Sequence, residues 1–161
     1  HLQAAKKFKG QIIVRVPGDN CLSEPVEIDK IIKHHLNQNR RSFTSNLTSI
    51  FKSGYPDGLG AEVFDYNTLK EISKKKISRL KKEHVSLNFF DYTKQKIINK
   101  NFCEVNTIKC PKAFSSPSLR LDVNNLNDYL FIKKIYEHLY KGNKFFSIKD
   151  TIRYLKKKKI L

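Results

Sequence analysis

Apolar positions along the 161-residue chain fall into two kinds of run. Short continuous or alternating runs read as strands, and longer ones spaced by three and four read as helices. Leu2 to Phe8 looks like the tail of an amphipathic helix over 1–9. The run Ile12-Ile13-Val14 follows, β-branched and unbroken, and predicts a strand over 11–16. That composition suits a central parallel strand covered on both faces. It stops at Pro17-Gly18, because Pro cannot donate to a ladder and Gly lets the backbone turn sharply. Pro25 opens a helix over 25–37 with the stripe Val26, Ile28, Ile31, Ile32 and Leu36. Ser42–Leu47 is a short strand, and Ala61–Tyr66 alternates as another. Thr68-Leu69-Lys70-Glu71 has the form of a capping box. A further helix starts near Glu83-His84, and strands follow at 96–105 and 117–123. A long helix over 125–141 carries Tyr129, Ile132, Tyr136 and Leu139, and Ser147-Ile148-Lys149-Asp150 caps the last one. Strands alternating with helices predict a single α/β domain over 1–161.

Composition changes this picture in three places. The chain opens on His1, holds no Met and begins inside a helical pattern, so it reads as the later portion of a longer protein. Net charge is +17, from 32 Lys+Arg against 15 Asp+Glu, which points toward nucleic acid or an anionic surface. Only six of those cations are Arg, the side chain that grips phosphate and bases two-pronged, and the Lys are spread evenly. A general compositional bias accounts for the charge as well as a binding patch does. The three Cys lack metal-ligand spacing and read as reduced thiols of a cytoplasmic protein. No apolar run approaches a membrane span. Asn46-Leu47-Thr48 matches a glycosylation sequon and reads as chance.

Two acidic spots stand at predicted strand ends. Asp19 follows the first strand, and Asp122 and Asn124 lie where 117–123 runs into the long helix. Ligands of open α/β sheets bind outside strand ends. Oxygen-only ligands suit a hard cation such as Mg²⁺, which keeps its other positions for water and phosphate. Ordinary loop and cap residues explain the same pattern. The loop Ser53-Gly54-Tyr55-Pro56-Asp57-Gly58-Leu59-Gly60 has the breakers of a substrate-contacting loop, or of a long connection. Glu83-His84 is a candidate polar pair, or a simple helix-terminal charge.

In order, the chain carries Ala4-Ala5-Lys6-Lys7, Ile13 to Asp19, Glu24-Pro25 with Ile28-Asp29, Tyr55-Pro56-Asp57-Gly58-Leu59, Glu62-Val63-Phe64, Glu83-His84-Val85, Leu119-Arg120-Leu121 and Asp128. This set resembles the later two thirds of cytidylyltransferases of the spore-coat polysaccharide (SpsF) type, relatives of the acylneuraminate and 3-deoxy-manno-octulosonate enzymes. The resemblance implies a three-layer α/β/α sandwich of the nucleotide-diphospho-sugar transferase type, Rossmann-like, with its N-terminal part outside this chain. It implies a CTP-dependent transferase that activates an acidic or related sugar for surface polysaccharide, and a possible homodimer. Mg²⁺ would be held by Asp19 and by Asp122 or Asn124, with Asp19 and Asp122 as the catalytic pair. Sugar contacts would come from Arg15, Tyr55, Asp57, Gly58, Glu62, Glu83, His84 and Arg120. The chain departs from the family pattern where Cys21 replaces a proline, and where Asn124 takes the place of the second metal aspartate with Asp122 two residues before it. The family's nucleotide loop is not in this chain, so the fragment alone is expected to be inactive. Rival readings are a decayed binding protein of the same fold and a basic nucleic-acid-binding module.

Overall fold

A computed structural model describes residues 1–47, 50, 52–141 and 145–161. Thr48 of the sequon lies outside them. Helix α1 (Leu2–Lys7) leads into β1 (Ile12–Arg15), then α2 (Pro25–Leu36), β2 (Ser42–Ser45), β3 (Glu62–Asp65) and α3 (Tyr66–Ser73). The second half holds α4 (Arg79–Glu83), the two-stranded hairpin β4 (Phe90–Asp91) and β5 (Lys96–Ile97), β6 (Glu104–Asn106), α5 (Leu126–Leu139) and α6 (Ile148–Lys157).

The main sheet runs β1-β3-β2-β6. β3 is antiparallel to both β1 and β2, and β6 is parallel to β2. The predicted first strand therefore exists, but as an antiparallel edge of the described sheet rather than a central parallel strand. Its side chains still divide between two faces. Ile13 joins Phe43, Phe64, Leu69 and Ile72 on the α3 side, while Ile12 joins Val63 and Ile31 on the α2 side. That alternation of one strand's neighbours between two cores is what makes a helix–sheet–helix sandwich. A third core gathers α5 and α6 over Tyr55, Leu59 and Leu121.

Several elements differ from expectation, each for a physical reason. α2 buries Glu27, Ile31 and His35, and leaves Val26 and Leu36 exposed. The two polar residues are buried because they have partners: the Tyr55 hydroxyl donates to Glu27 at 2.5 Å, and His35 Nδ1 lies 3.0 Å from the Thr44 hydroxyl. α3 starts at Tyr66 directly from β3, so Thr68 falls inside its first turn and caps nothing. α4 ends at Glu83 instead of starting there, and Val85–Asn88 forms a 3₁₀ turn. The 117–123 segment is not a strand; it makes one bridge, Arg120 to Asp57. α5 is correctly capped by Asn125 with Asp128, but its buried residues are Ile132 and Ile135, with Tyr129 and Tyr136 exposed. α6 carries the predicted Ser147–Asp150 capping box.

Candidate active site

Three loops are stitched together at one end of the sheet. Asp57 N–H donates to Leu119 O at 2.9 Å, and Leu121 N–H donates to Asp57 O at 2.9 Å. Val123 N–H donates to Asp19 O at 3.0 Å, and the Asn20 side-chain amide donates to Gly60 O at 3.1 Å. The loops after β1, before β3 and before α5 thus share one surface. Gly58 allows its loop to lie directly against the backbone of residues 121 and 122. It sits at φ +87°, and a Cβ there would stand 2.4 Å from both Asp122 N and Leu121 C. Gly18 needs no such freedom: its φ is not positive, and a Cβ there would have no atom within 4 Å. The turn after β1 rests on Pro17 and on the Asn20 N–H bond to its carbonyl.

The pocket at this sheet end has a volume of about 610 Å³. Asp19, Asp57, Asp122, Arg15, Glu62 and His84 all line it; Asp57 feels the charges of Asp122 and Asp19, and Glu62 those of Arg15 and His84. Arg15 and Glu62 are register partners at facing ends of β1 and β3. They form an ion pair of 3.0 Å with side chains 17% and 4% exposed. Burial pushes the Glu62 carboxyl above the usual carboxylate range, against the pull of Arg15. Asp57 is also raised, by burial first and then by the charge of Asp122. Burial pushes Asp122 upward too, but hydrogen bonds from Arg120 and Asn124 outweigh it and hold this carboxyl low. Arg120 grips Asp122 with both Nε (3.2 Å) and Nη2 (2.7 Å).

Among the sequence candidates, Asp19, Arg15, Asp57, Glu62, His84 and Asp122 are brought together in this lining. The others are placed elsewhere. Tyr55 is wholly buried in the α5–α6 core, its hydroxyl spent on Glu27, so it offers the pocket nothing. Gly58 acts through the backbone contact just described. Glu83 ends α4, exposed and outside the lining. Arg120 and Asn124 sit at the rim and touch the pocket through Asp122. Sequence reading missed Asn20, Ser86, Leu87 and Tyr92 in the wall. Burial foremost pushes the Tyr92 hydroxyl up to about 12, with Ser86 as its polar neighbour. Tyr92 arrives on the β4–β5 hairpin, and no local signal in the sequence ties that hairpin to β1.

The donor chemistry fits a hard cation in part. Asp19 and Asp122 present carboxylate oxygens on adjoining loops, and the Asp19 carboxylate makes no hydrogen bond or ion pair among the described residues. No three His, Cys, Asp or Glu side chains converge into a metal-holding group among the described residues. Two carboxylates are the usual protein share for Mg²⁺, which retains water and phosphate oxygens.

No family model matches the chain. It is 28% identical over 137 residues to the spore coat polysaccharide biosynthesis protein SpsF of Bacillus subtilis, covering 84% of the chain and 51% of that protein. It is 26% identical over 135 residues to the uncharacterized protein MJ1063 of Methanocaldococcus jannaschii, covering 84% and 50%. A cytidylyltransferase structure from Leptospira borgpetersenii superposes with a TM-score of 0.79 at 25% identity, over 99% of this chain and 61% of that one. The chain spans about half the length of the curated relatives it matches. In sequence and in fold, this chain is similar to the cytidylyltransferases of the SpsF type.

Proposed function

We propose that this chain forms part of a sugar cytidylyltransferase of surface-polysaccharide synthesis. The observation that carries the reading is the convergence of Asp19, Asp57, Glu62 and Asp122, from distant segments, on one pocket at the sheet end. In the reaction, a sugar hydroxyl oxygen attacks the α-phosphorus of CTP. The new P–O bond forms as the bond to the bridging oxygen breaks, and pyrophosphate leaves with that electron pair. The hydroxyl proton passes to a carboxylate of the wall. Asp57 suits that role, because its raised proton affinity makes it a stronger base than an ordinary aspartate. Asp19 and Asp122 are the residues that would hold Mg²⁺, whose charge offsets the charge developing on the phosphoryl oxygens. Arg120 keeps Asp122 ionised and fixed in direction. CTP and three unpaired Cys both agree with a cytoplasmic setting.

The test is pyrophosphate release by the intact protein with CTP, Mg²⁺ and a sugar panel, with and without EDTA. An Asp19→Asn change removes a unit charge beside the cation, worth about 4 kcal/mol at 4 Å and an effective dielectric of 20. Half-saturation for Mg²⁺ rises by at least tenfold, and direct Mn²⁺ binding weakens in parallel. Unchanged metal dependence in Asp19→Asn refutes the metal assignment. A second reading, a binding protein whose catalytic site has decayed, draws on Asp122 being already occupied by Arg120 and Asn124. Absence of release from the folded intact protein favours it.

A further inference from the structure

A second cavity, of about 90 Å³, lies between the segment leading into α2, the end of α5 and the start of α6. Among the described residues it shares no lining side chain with the sheet-end pocket. Tyr136 and Phe146 meet there edge to face, their ring centroids 5.1 Å apart at 80°, and Tyr140 joins Tyr136 at 6.3 Å. The faces of such rings are electronegative and attract cations. Glu24 lines the same cavity and is only 6% exposed. Its Oε2 accepts the Ile148 N–H at 2.8 Å, at the start of α6. Among the described residues no donor reaches its Oε1 and no cation pairs with the carboxylate, in a protein with 32 Lys+Arg. Enclosed carboxylates ordinarily have such a partner.

The neighbouring hydroxyls do not supply the missing donor. Ser23 donates to Asn20 O at 2.9 Å, Ser147 to Asp150 at 2.8 Å, Thr151 to Ser147 O at 3.3 Å and Tyr136 to Cys21 O at 3.2 Å. A hydroxyl has one proton, so these four have spent theirs and offer the cavity only lone pairs. What the wall still presents is a carboxylate oxygen, hydroxyl lone pairs and aromatic faces, with no Lys, Arg or His. That set complements a ligand that is cationic, donates hydrogen bonds and carries apolar C–H surface. We propose that this cavity binds a small alkylammonium ion, whose N–H groups donate to Glu24 Oε1 while its charge and its alkyl carbons rest against Tyr136 and Phe146. A cavity of this size takes the head of a short amine rather than a sugar ring or a nucleotide. The proposal stands apart from the transferase reading, since it uses no residue of the sheet-end pocket.

The experiment compares propylammonium with propan-1-ol, which match in size and differ in charge. Binding to the intact protein, without CTP or sugar, is read by NMR with the Tyr and Phe rings labelled. Propylammonium saturates the site and binds about tenfold or more tighter than propan-1-ol. Glu24→Gln keeps an oxygen for the Ile148 N–H and removes the charge, and Tyr136→Leu removes the ring. Each weakens propylammonium by about tenfold. Tyr136→Phe gives up only the bond to Cys21 O and binds as the parent does. Equal affinity for the amine and the alcohol overturns the proposal, as does parent-like amine binding by Glu24→Gln, or no saturation by about 50 mM amine. Asp19→Asn, in the other pocket, leaves amine binding unchanged; a loss there moves the amine to the sheet end and overturns the assignment. Circular dichroism checks that each variant is folded, and Glu24→Gln carries the test by itself should Tyr136→Leu not fold. Cytidylyl transfer can fail in its own assay without touching any of these outcomes.

Discussion

Replacing Gly58 by Ala strikes the stability of the fold and the geometry of the pocket at one point. Gly58 has φ +87°, where an L side chain costs about 1–2 kcal/mol. The added Cβ would also lie 2.4 Å from Asp122 N and Leu121 C, both backbone atoms that cannot rotate away. Forcing such atoms apart costs about 1–3 kcal/mol more. It also strains the paired bonds between Asp57 and residues 119 and 121. The total is about 2–5 kcal/mol, and at ~2–4 °C per kcal/mol for a chain of this size the midpoint falls by about 10 °C. Gly18→Ala is the control: no atom lies within 4 Å of its added Cβ. It should stay within about 0.5 kcal/mol of the parent. Thermal unfolding followed by circular dichroism on all three proteins decides it. A Gly58→Ala midpoint within about 2 °C of the parent would refute the close approach of the two loops. The same change moves Asp122 away from Asp57, so whatever turnover the folded variant retains is reduced as well.

Two further predictions test the roles of buried polar groups. Tyr55→Phe removes the hydrogen bond to the enclosed Glu27 carboxylate and lowers stability by about 1.5–3 kcal/mol in urea unfolding, while sugar KM stays unchanged. A changed KM with unchanged stability would return Tyr55 to the substrate. Burial foremost lowers the His35 pKa below 6.5, opposed by Asp65. The unfolded chain therefore binds the proton more readily, and the stability from neutral His35 is present above about pH 6.5 and lost as pH falls toward the folded value. Unfolding free energy between pH 7.5 and 5.5 should fall by up to about 1.4 kcal/mol per pH unit in the parent, and less steeply in His35→Gln. Equal slopes would show that His35 does not carry the effect.

How far the chain could be read in advance depended on how far each residue's partner lay along it. The capping boxes at Asn125–Asp128 and Ser147–Asp150 close within one helical turn, and both are present as read. The Thr68–Glu71 box has the same spelling and fails, because β3 hands its chain straight to α3 and places Thr68 inside the helix. The helix and strand periods located α2, β1, β3, α5 and α6, since periodicity is a local property. Which face of α2 is buried was not local. Glu27 and His35 look like solvent residues until Tyr55 and Thr44 are brought beside them.

The site divides in the same way. Sequence alone marked Asp19, Asp57, Glu62, His84 and Asp122 as chemistry-bearing, because acids and breakers at strand ends and a resembling motif order are visible in one dimension. Only the tertiary structure decided that they share a pocket, that Tyr55 leaves it for the core, and that Ser86 and Tyr92 enter it. It also decided that Arg15 spends its charge on Glu62, 47 residues away. Backbone periodicity and capping are set by neighbours within a turn or a pleat. The charge balance of a cavity is set by which distant segments close over it, and that is a property of packing.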